Sequence, residues 1–509
     1  MIFSSFAFIA GFLPVALLGF LLCARLGHRA AGLWLVLMSL TFYGYWRLSF
    51  LPLLLISILF NFGSGWLLTR TEARPRLQGA ILVTSVTASL LALFYYKYVA
   101  ALAETFGFAS VAGVPLQDIV LPLGISFFTF TQIGYLVDVK QGVARTRDFL
   151  SYLLFVTFFP HLIAGPILHN REMMPQFADP ATYRMSRENL AIGLTIFAMG
   201  LAKKVLLADP LSADVAANFA AADTAGLFTA WHAVVGYSLQ LYFDFSGYSD
   251  MAIGLARLFN IRFPLNFNSP YKATTVIDYW QRFHMTLTRF ITMYIFSPMA
   301  LWVTSQRAAR GLDNSRRATA TAGGFVSLIA APTLVTMGLA GIWHGAGTQY
   351  LIFGLLHGSY IVVNHAMRTF FPVPKNAPPR PWLKRTAIHA AKVLAVYLAA
   401  LVAFTFFRAH STQAATHLLA GMAGLHGIGP GLPLTAAAGL AVLLAIVWGC
   451  PNTQQIMSRF EPALGRAIAN PYPRLTWSPT TTWAVVSGAI AALGVLALGG
   501  TTEFLYFQF

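Results

Sequence analysis

The sequence predicts an all-α polytopic membrane protein. Two observations carry this. Of 509 residues, 57% are hydrophobic and only 10% are charged, where a soluble domain carries about 25% charged residues. Apolar runs of roughly 17–25 residues, long enough to span a bilayer, also recur from end to end. The runs are continuous rather than alternating. Of the two structures that satisfy a backbone in lipid, this selects helices over a closed barrel.

The first run, 1–23, has no basic flank before it and is followed by Arg25, His28 and Arg29. A cleaved signal peptide has the opposite flanks, so a retained span with an inward basic end is expected. Basic clusters mark the expected cytoplasmic loops: Arg25–Arg29, Arg70–Arg76, Lys140–Arg147, Arg307–Arg317, Arg368–Arg385 and Arg459–Arg474. Segments 101–117 and 409–433 are poor in Lys and Arg and are expected outside. The phasing is self-consistent. After span 1–23, stretch 31–69 holds two short spans. Spans 79–98 and 118–139 follow, and later come 325–342, 347–367, 386–407, 434–450 and 482–499. The last leaves the C-terminus outside. A division by function gives wall helices in 1–116, a catalytic core in 117–370 and further membrane helices in 371–509.

The net charge of +17 is read as positive-inside topology and contact with anionic lipid, not as nucleic-acid binding. The aromatics of "LFYYKYVA" suit a membrane interface. Cys23 and Cys450 give no disulfide framework and no metal motif. No internal repeat of the transporter kind is present.

The middle, 149–306, is less regular. Its apolar runs are broken by "FFPHLIAGPILHNREMMPQF", "YFDFSGYSDMAIG" and "RFPLNFNSPYKATTVIDYWQRFHMTLTRF". Broken helices at membrane depth survive only inside protein or beside a water-filled cavity, so the pocket is expected here. Ser246, between Asp244 and Asp250, reads as part of a turn or helix cap. No GxSxG elbow, HExxH or CxxC is present, and no metal is expected.

Several of the 12 histidines lie in or near expected loops: His28, His389, His410, His417 and His426. Two stand apart. At helical spacing His284 shares a face with Trp280 and Thr288, while Asp278 and Arg282 pair at i,i+4. That pattern also fits an interfacial amphipathic helix. His344, in "GIWHGAGTQY", lies between two apolar runs and among Gly338, Gly341, Gly345 and Gly347. These glycines permit a helix break and a close approach by another backbone or a substrate. A titratable group inside a membrane is costly, which makes His344 a candidate for function as well as for an interhelical hydrogen bond. His357, 13 residues further on, reads as structural.

Several blocks together resemble the membrane-bound O-acyltransferase (MBOAT) family, in its bacterial alginate and cellulose O-acetylation branch. They are "LPLGISFFTFTQIGYLVDV", "FFPHLIAGPILHNREMMPQF", "LQLYFDFSGYSDMAIGLARLFNIRFPLNFNSPY", "DYWQRFHMTLTRFITMYIFSP", "MGLAGIWHGAGTQYLIFGLLHG" and the terminal "FLYFQF". The resemblance covers most of the chain. It implies a ring of helices around a thin central tunnel, with about 11–13 membrane helices counting re-entrant pieces. The family's essential histidine maps onto His344 and a second polar position onto His284. Gln281 and Phe283 stand where relatives often have Arg and Trp. Trp343, Trp280, Arg282, Asn268 and Tyr248 are the accompanying substrate-binding candidates.

The implied reaction is acyl transfer, acetyl in this branch, from a cytoplasmic thioester such as acetyl-CoA to an extracytoplasmic hydroxyl. The donor is a substrate, and no bound cofactor is expected. A hydroxyl needs a base of near-neutral pKa within hydrogen-bond reach, and burial keeps an imidazole neutral and able to accept a proton. His344 is the expected base. His284 would position the acceptor or stabilise the oxyanion, with Arg282 nearby. The loops Arg307–Arg317 and Arg368–Arg385 read first as topology signals and second as attraction for coenzyme A phosphates. Expected partners are membrane lipid, a polysaccharide acceptor and a periplasmic acetyltransferase, with the protein in the bacterial inner membrane. The alternatives are D-alanyl or peptidoglycan O-acyl transfer within the same family, or a transporter of acyl donor or polysaccharide. About 165 residues follow His344, which favours the exopolysaccharide branch over D-alanyl transfer.

Overall fold

A computed structural model describes every residue except 112, 145–147, 373–380, 466–467, 500–504 and 506–509. Parts of the expected basic loops 140–147, 368–385 and 459–474, and all of "FLYFQF" but Leu505, lie outside the described residues. Almost everything described is helix. The strands among the described residues are two short ones, Ser110–Val111 and Val114–Pro115, paired antiparallel.

Among the described residues, six helical stretches are long and apolar enough to cross a membrane: Ala7–Ala24, Leu48–Arg70, Pro75–Thr105, Arg187–Ala220, Ala322–His344 and Trp382–Arg408. Leu434–Gly449 and Thr481–Leu496 are shorter and equally apolar. Pro52 and Pro75 sit in first turns, where a missing amide hydrogen costs little. Pro14, Pro298 and Pro332 each come just after a π-helical segment, Ala7–Phe12, Thr292–Phe296 and Val326–Ala330. Stretch 31–69 forms two helices, as expected: His28–Gly44 and Leu51–Arg70.

Two expectations are corrected. The span expected at 118–139 is helical only over Ile125–Lys140. Before it Gly124 adopts φ +70, and a Cβ there would lie 2.6 Å from the Leu162 carbonyl oxygen. The chain therefore turns at "LPLG" instead of spanning. The second correction concerns "YFDFSGYSDMAIG", expected as a break or cap. Helix Leu227–Leu258 runs through it without interruption.

That helix tolerates two carboxylates because lysines meet them. Lys204 Nζ lies 2.8 Å from Asp244 and also pairs with Asp209, while Lys203 Nζ lies 2.6 Å from Asp250. The Gln454 amide donates to Asp250 at 3.1 Å, and the Leu505 backbone amide donates to Asp244 at 3.1 Å. Close helix contact brings these groups together. A Cβ at Gly200 would lie 2.6 Å from the Gly247 carbonyl, and one at Gly193 2.7 Å from that of Gly254.

The described residues cluster into two units that interleave along the chain. One comprises Met1–Asp209, Phe243–Leu265 and the residues from Pro451 on; the other comprises Pro210–Tyr242 and Asn266–Cys450. The ion-pair network belongs to the first. In the second, helices Ala331–His344 and Thr348–Phe370 pack backbone to backbone. A Cβ at Gly341 would lie 2.3 Å from the Tyr350 carbonyl, and one at Gly354 2.2 Å from the Met337 carbonyl.

Two stability outcomes follow. Lys204→Met leaves the buried Asp244 and the half-buried Asp209 beside an apolar side chain, and breaking a buried pair costs about 3–5 kcal/mol. Thermal unfolding of the purified protein in detergent should show a large drop; an unchanged midpoint would contradict the network's role. Gly354→Ala forces two helices apart and should cost about 1–3 kcal/mol in the same measurement, as overpacking does.

Candidate active site

His344 is the last residue of helix Ala331–His344. The helix stops there because Gly345 takes an extended conformation, φ −177. A Cβ at Gly345 would lie 2.3 Å from the Tyr350 ring, which would have to move to admit a side chain. Two residues later helix Thr348–Phe370 begins. Its first turn touches the Lys/Arg-poor segment expected outside: the hydroxyls of Thr348 and Thr412 lie 2.8 Å apart, and the Gln349 amide donates to the His410 carbonyl at 3.5 Å. His344 is therefore at a helix terminus on the expected outer end, yet only 7% exposed. Its ring packs against Trp343 (centroids 4.7 Å apart), Phe407 (4.9 Å, edge-on) and Phe353 (5.9 Å, edge-on). Of the two uses expected for the surrounding glycines, Gly341 serves the approach of another backbone.

His284 is not on a continuous helix face, which corrects the spacing argument. Helix Val276–Trp280 ends, His284 adopts the left-handed conformation (φ +44), and helix Met285–Ile291 follows. A left-handed histidine is strained, and such strain gathers at functional sites. The conformation is held by a pairing of 266–268 with 282–285. The Asn268 amide donates to the Arg282 carbonyl at 2.8 Å, and the Met285 amide to the Asn266 carbonyl at 2.9 Å.

Asn266 also fixes the imidazole. Its Oδ1 accepts from the Thr286 hydroxyl at 2.9 Å and from the Thr286 backbone amide at 3.3 Å, and lies 3.1 Å from His284 Nδ1. The backbone amide can only donate, which identifies the Asn266 atom as the oxygen. Nδ1 of His284 then carries the proton, and in the neutral ring Nε2 is left as the acceptor.

His357 links the surroundings of His344 to Trp280. The Trp280 indole N–H donates to His357 Nδ1 at 3.3 Å. The His357 ring lies 5.0 Å from Trp280, 6.0 Å from Tyr279 and 4.8 Å from Phe353, which in turn contacts His344. Aromatic contacts thus run from His344 through Phe353 and His357 to Trp280. His357 is nine residues past Thr348, about 14 Å along the helix at 1.5 Å per residue. The Trp280 end of the row is accordingly well below the turn that holds His344.

The other candidates are placed as follows. Arg282 pairs with Asp278 at 2.7 Å, as its i,i+4 spacing indicated, although the helix has already ended. Its Nη1 also reaches the Asn268 carbonyl at 3.5 Å. Trp343 is buried beside His344. Tyr248 belongs to the first unit, where it stacks on Phe3 at 4.7 Å. Phe283 stacks on Tyr279 at 5.3 Å and meets Phe267 edge-on at 5.2 Å. The contacts of His357 fit the structural role expected of it, while sequence reasoning missed Asn266. The "NFN" alternation offered a signal for it, since period-two spacing puts Asn266 and Asn268 on one side of an extended segment.

The loop Arg307–Arg317 also has structural work. Arg307 donates to Asn314 at 3.1 Å, Ser327 at 2.8 Å and the Asp313 carbonyl at 2.7 Å. In that solvated loop, hydrogen bonds from Ser315 hold the Asp313 carboxyl below its ordinary pKa.

The profile of the membrane-bound O-acyltransferase family matches residues 135–311. The chain is 37% identical over 463 residues to a peptidoglycan O-acetyltransferase of Helicobacter pylori, covering 84% of this chain and 81% of the relative. It is 34% identical to a probable alginate O-acetylase of Pseudomonas aeruginosa, covering 83% and 75%. It is 28% identical over 297 residues to a teichoic acid D-alanyltransferase of Bacillus subtilis, covering 58% and 69%. The chain belongs to the membrane-bound O-acyltransferase family and is a membrane acyltransferase.

Proposed function

We propose that this protein passes an acetyl group from a cytoplasmic thioester to a hydroxyl of an extracytoplasmic polysaccharide of the alginate or cellulose type, directly or through a periplasmic acetyltransferase, in the bacterial inner membrane. The observation that carries it is His344: a titratable ring at the outer end of a helix, walled by aromatics, in a member of a family whose named relatives transfer acyl groups. His344 takes the proton of the attacking hydroxyl. The oxygen forms an ester bond to the acyl carbon, the carbon–sulfur bond breaks, and the thiol leaves with a proton.

His284 has the narrower part. With its Nδ1 proton on Asn266, its Nε2 accepts a hydrogen bond, which suits holding a hydroxyl. The neutral ring has no proton there to offer an oxyanion, so the positioning role is preferred over oxyanion stabilisation. A second reading has one observation in its favour, the 37% identity to a peptidoglycan O-acetyltransferase. In it the acceptor is a cell-wall glycan hydroxyl.

His344→Ala, expressed at wild-type level, should lower O-acetylation by about 10²–10⁴-fold, the usual contribution of a general base. Ester acetate is measured separately in the secreted polysaccharide and in the sacculus of the same cells. Loss from the secreted polymer supports the first reading, and loss from the sacculus the second. Wild-type acetylation of both refutes the assignment of His344. Asn266→Ala releases the tautomer lock and should lower the rate per folded protein by up to about tenfold, with some loss of stability because the buried Thr286 donors lose their acceptor.

A further inference from the structure

In the first unit, an open cleft of about 300 Å³ is lined by Asp179, Arg184, Ser186, Asn189, Arg257, Asn260 and Arg262, among others. Arg257 is its distinctive wall. It is 4% exposed, and its Nε has no hydrogen-bond partner among the described residues. Its Nη2 makes one long bond, 3.5 Å, to the Phe460 carbonyl. No carboxylate lies in salt-bridge contact with it among the described residues. A buried charge without a partner is strongly unfavourable, and a guanidinium offers five donors in a planar fork suited to phosphate. Arg262, half-exposed, pairs only loosely with the exposed Glu461 at 3.4 Å.

The frame around the cleft is rigid. Asn260, at φ +61, donates to the Thr182 carbonyl at 2.9 Å and to the Arg184 carbonyl, while Asn189 donates to Asn260 Oδ1 at 2.8 Å. Ser186 caps helix Arg187–Ala202, whose amino end opens on the same cleft. The acidic group here is Asp179, exposed and accepting from the Ala181 amide at 2.8 Å. Glu188 and Glu461 act on Arg257 through space. Asp179, Glu188 and Glu461 are all exposed, so solvent screens the nearby carboxylates while Arg257 is buried.

The cleft is on the end that the charge rule places in the cytoplasm. Tyr183, in its rim segment, lies 6.3 Å from the His28 ring, and Phe460 and Glu461 belong to the basic segment Arg459–Arg474. We infer that this cleft binds a phosphate group presented from the cytoplasm, that of a phosphate-bearing acyl thioester or of an anionic lipid headgroup. Only the thioester source rests on the function proposed above.

The test uses purified full-length protein in neutral detergent, with coenzyme A and inorganic pyrophosphate as probes in titration calorimetry. Retained phosphatidylglycerol is counted by native mass spectrometry after passage through nanodiscs that contain it. Arg257→Gln, Arg262→Gln and Arg184→Gln should each weaken binding about tenfold, the scale of one charge-assisted hydrogen bond. Arg257→Lys should weaken it less, and added salt should weaken it in the wild type. Where Arg257→Gln fails to fold, the two more exposed positions carry the test. Weaker coenzyme A binding supports the thioester source. Loss of phosphatidylglycerol with coenzyme A binding unchanged supports the lipid source. Unchanged binding of all probes in every folded variant overturns the site. Arginine-dependent coenzyme A binding with no histidine-dependent acyl transfer would instead sink the proposed function and leave the site standing.

Discussion

The candidate site depends on backbone contact between helices Ala331–His344 and Thr348–Phe370, where Gly341 and Gly354 leave no room for a side chain. Between helices in lipid the hydrophobic effect supplies little drive, so close packing and hydrogen bonds must. This contact sets His344 at the end of one helix against Phe353 on the other. It also points His357, one turn below Phe353, at Trp280. Without it the row of rings would have no fixed spacing.

The same demand for partners explains the rest. Polar groups withdrawn from water are tolerated when each is met. His284 is strained and buried, yet Asn266 fixes its ring. Asp244 and Asp250 sit within a long helix because Lys204 and Lys203 reach them. Arg257 is the exception among the buried charges described above, which is why its cleft invites a ligand.

Much of this was legible in the sequence, and the limits have physical causes. Composition and run length pointed to the helices. Stretch 31–69 divides into two because a single helix of that length would be too long for a bilayer, although only Leu48–Arg70 of the pair is long and apolar enough to cross one. His344 stood out since a histidine between two apolar runs is expensive. Periodicity failed where tertiary partners decide conformation. "DFSGYSD" looked like a break because its carboxylates were read without the lysines some 40 residues earlier. His284 looked helical because a four-residue spacing does not reveal a left-handed turn imposed by Asn266. The cleft around Arg257 was invisible, as its walls come from segments far apart in the chain.

The central claim is that acyl groups cross by chemistry at this site while the donor stays behind. The direct measurement uses the full-length protein in sealed liposomes, with acetyl-labelled coenzyme A confined to the side of the basic loops. A soluble glycan acceptor is on the other side. The account predicts labelled ester on the acceptor while coenzyme A is retained, and none of it with His344→Ala. Passage of intact acetyl-coenzyme A without ester formation, unaffected by that change, would contradict it.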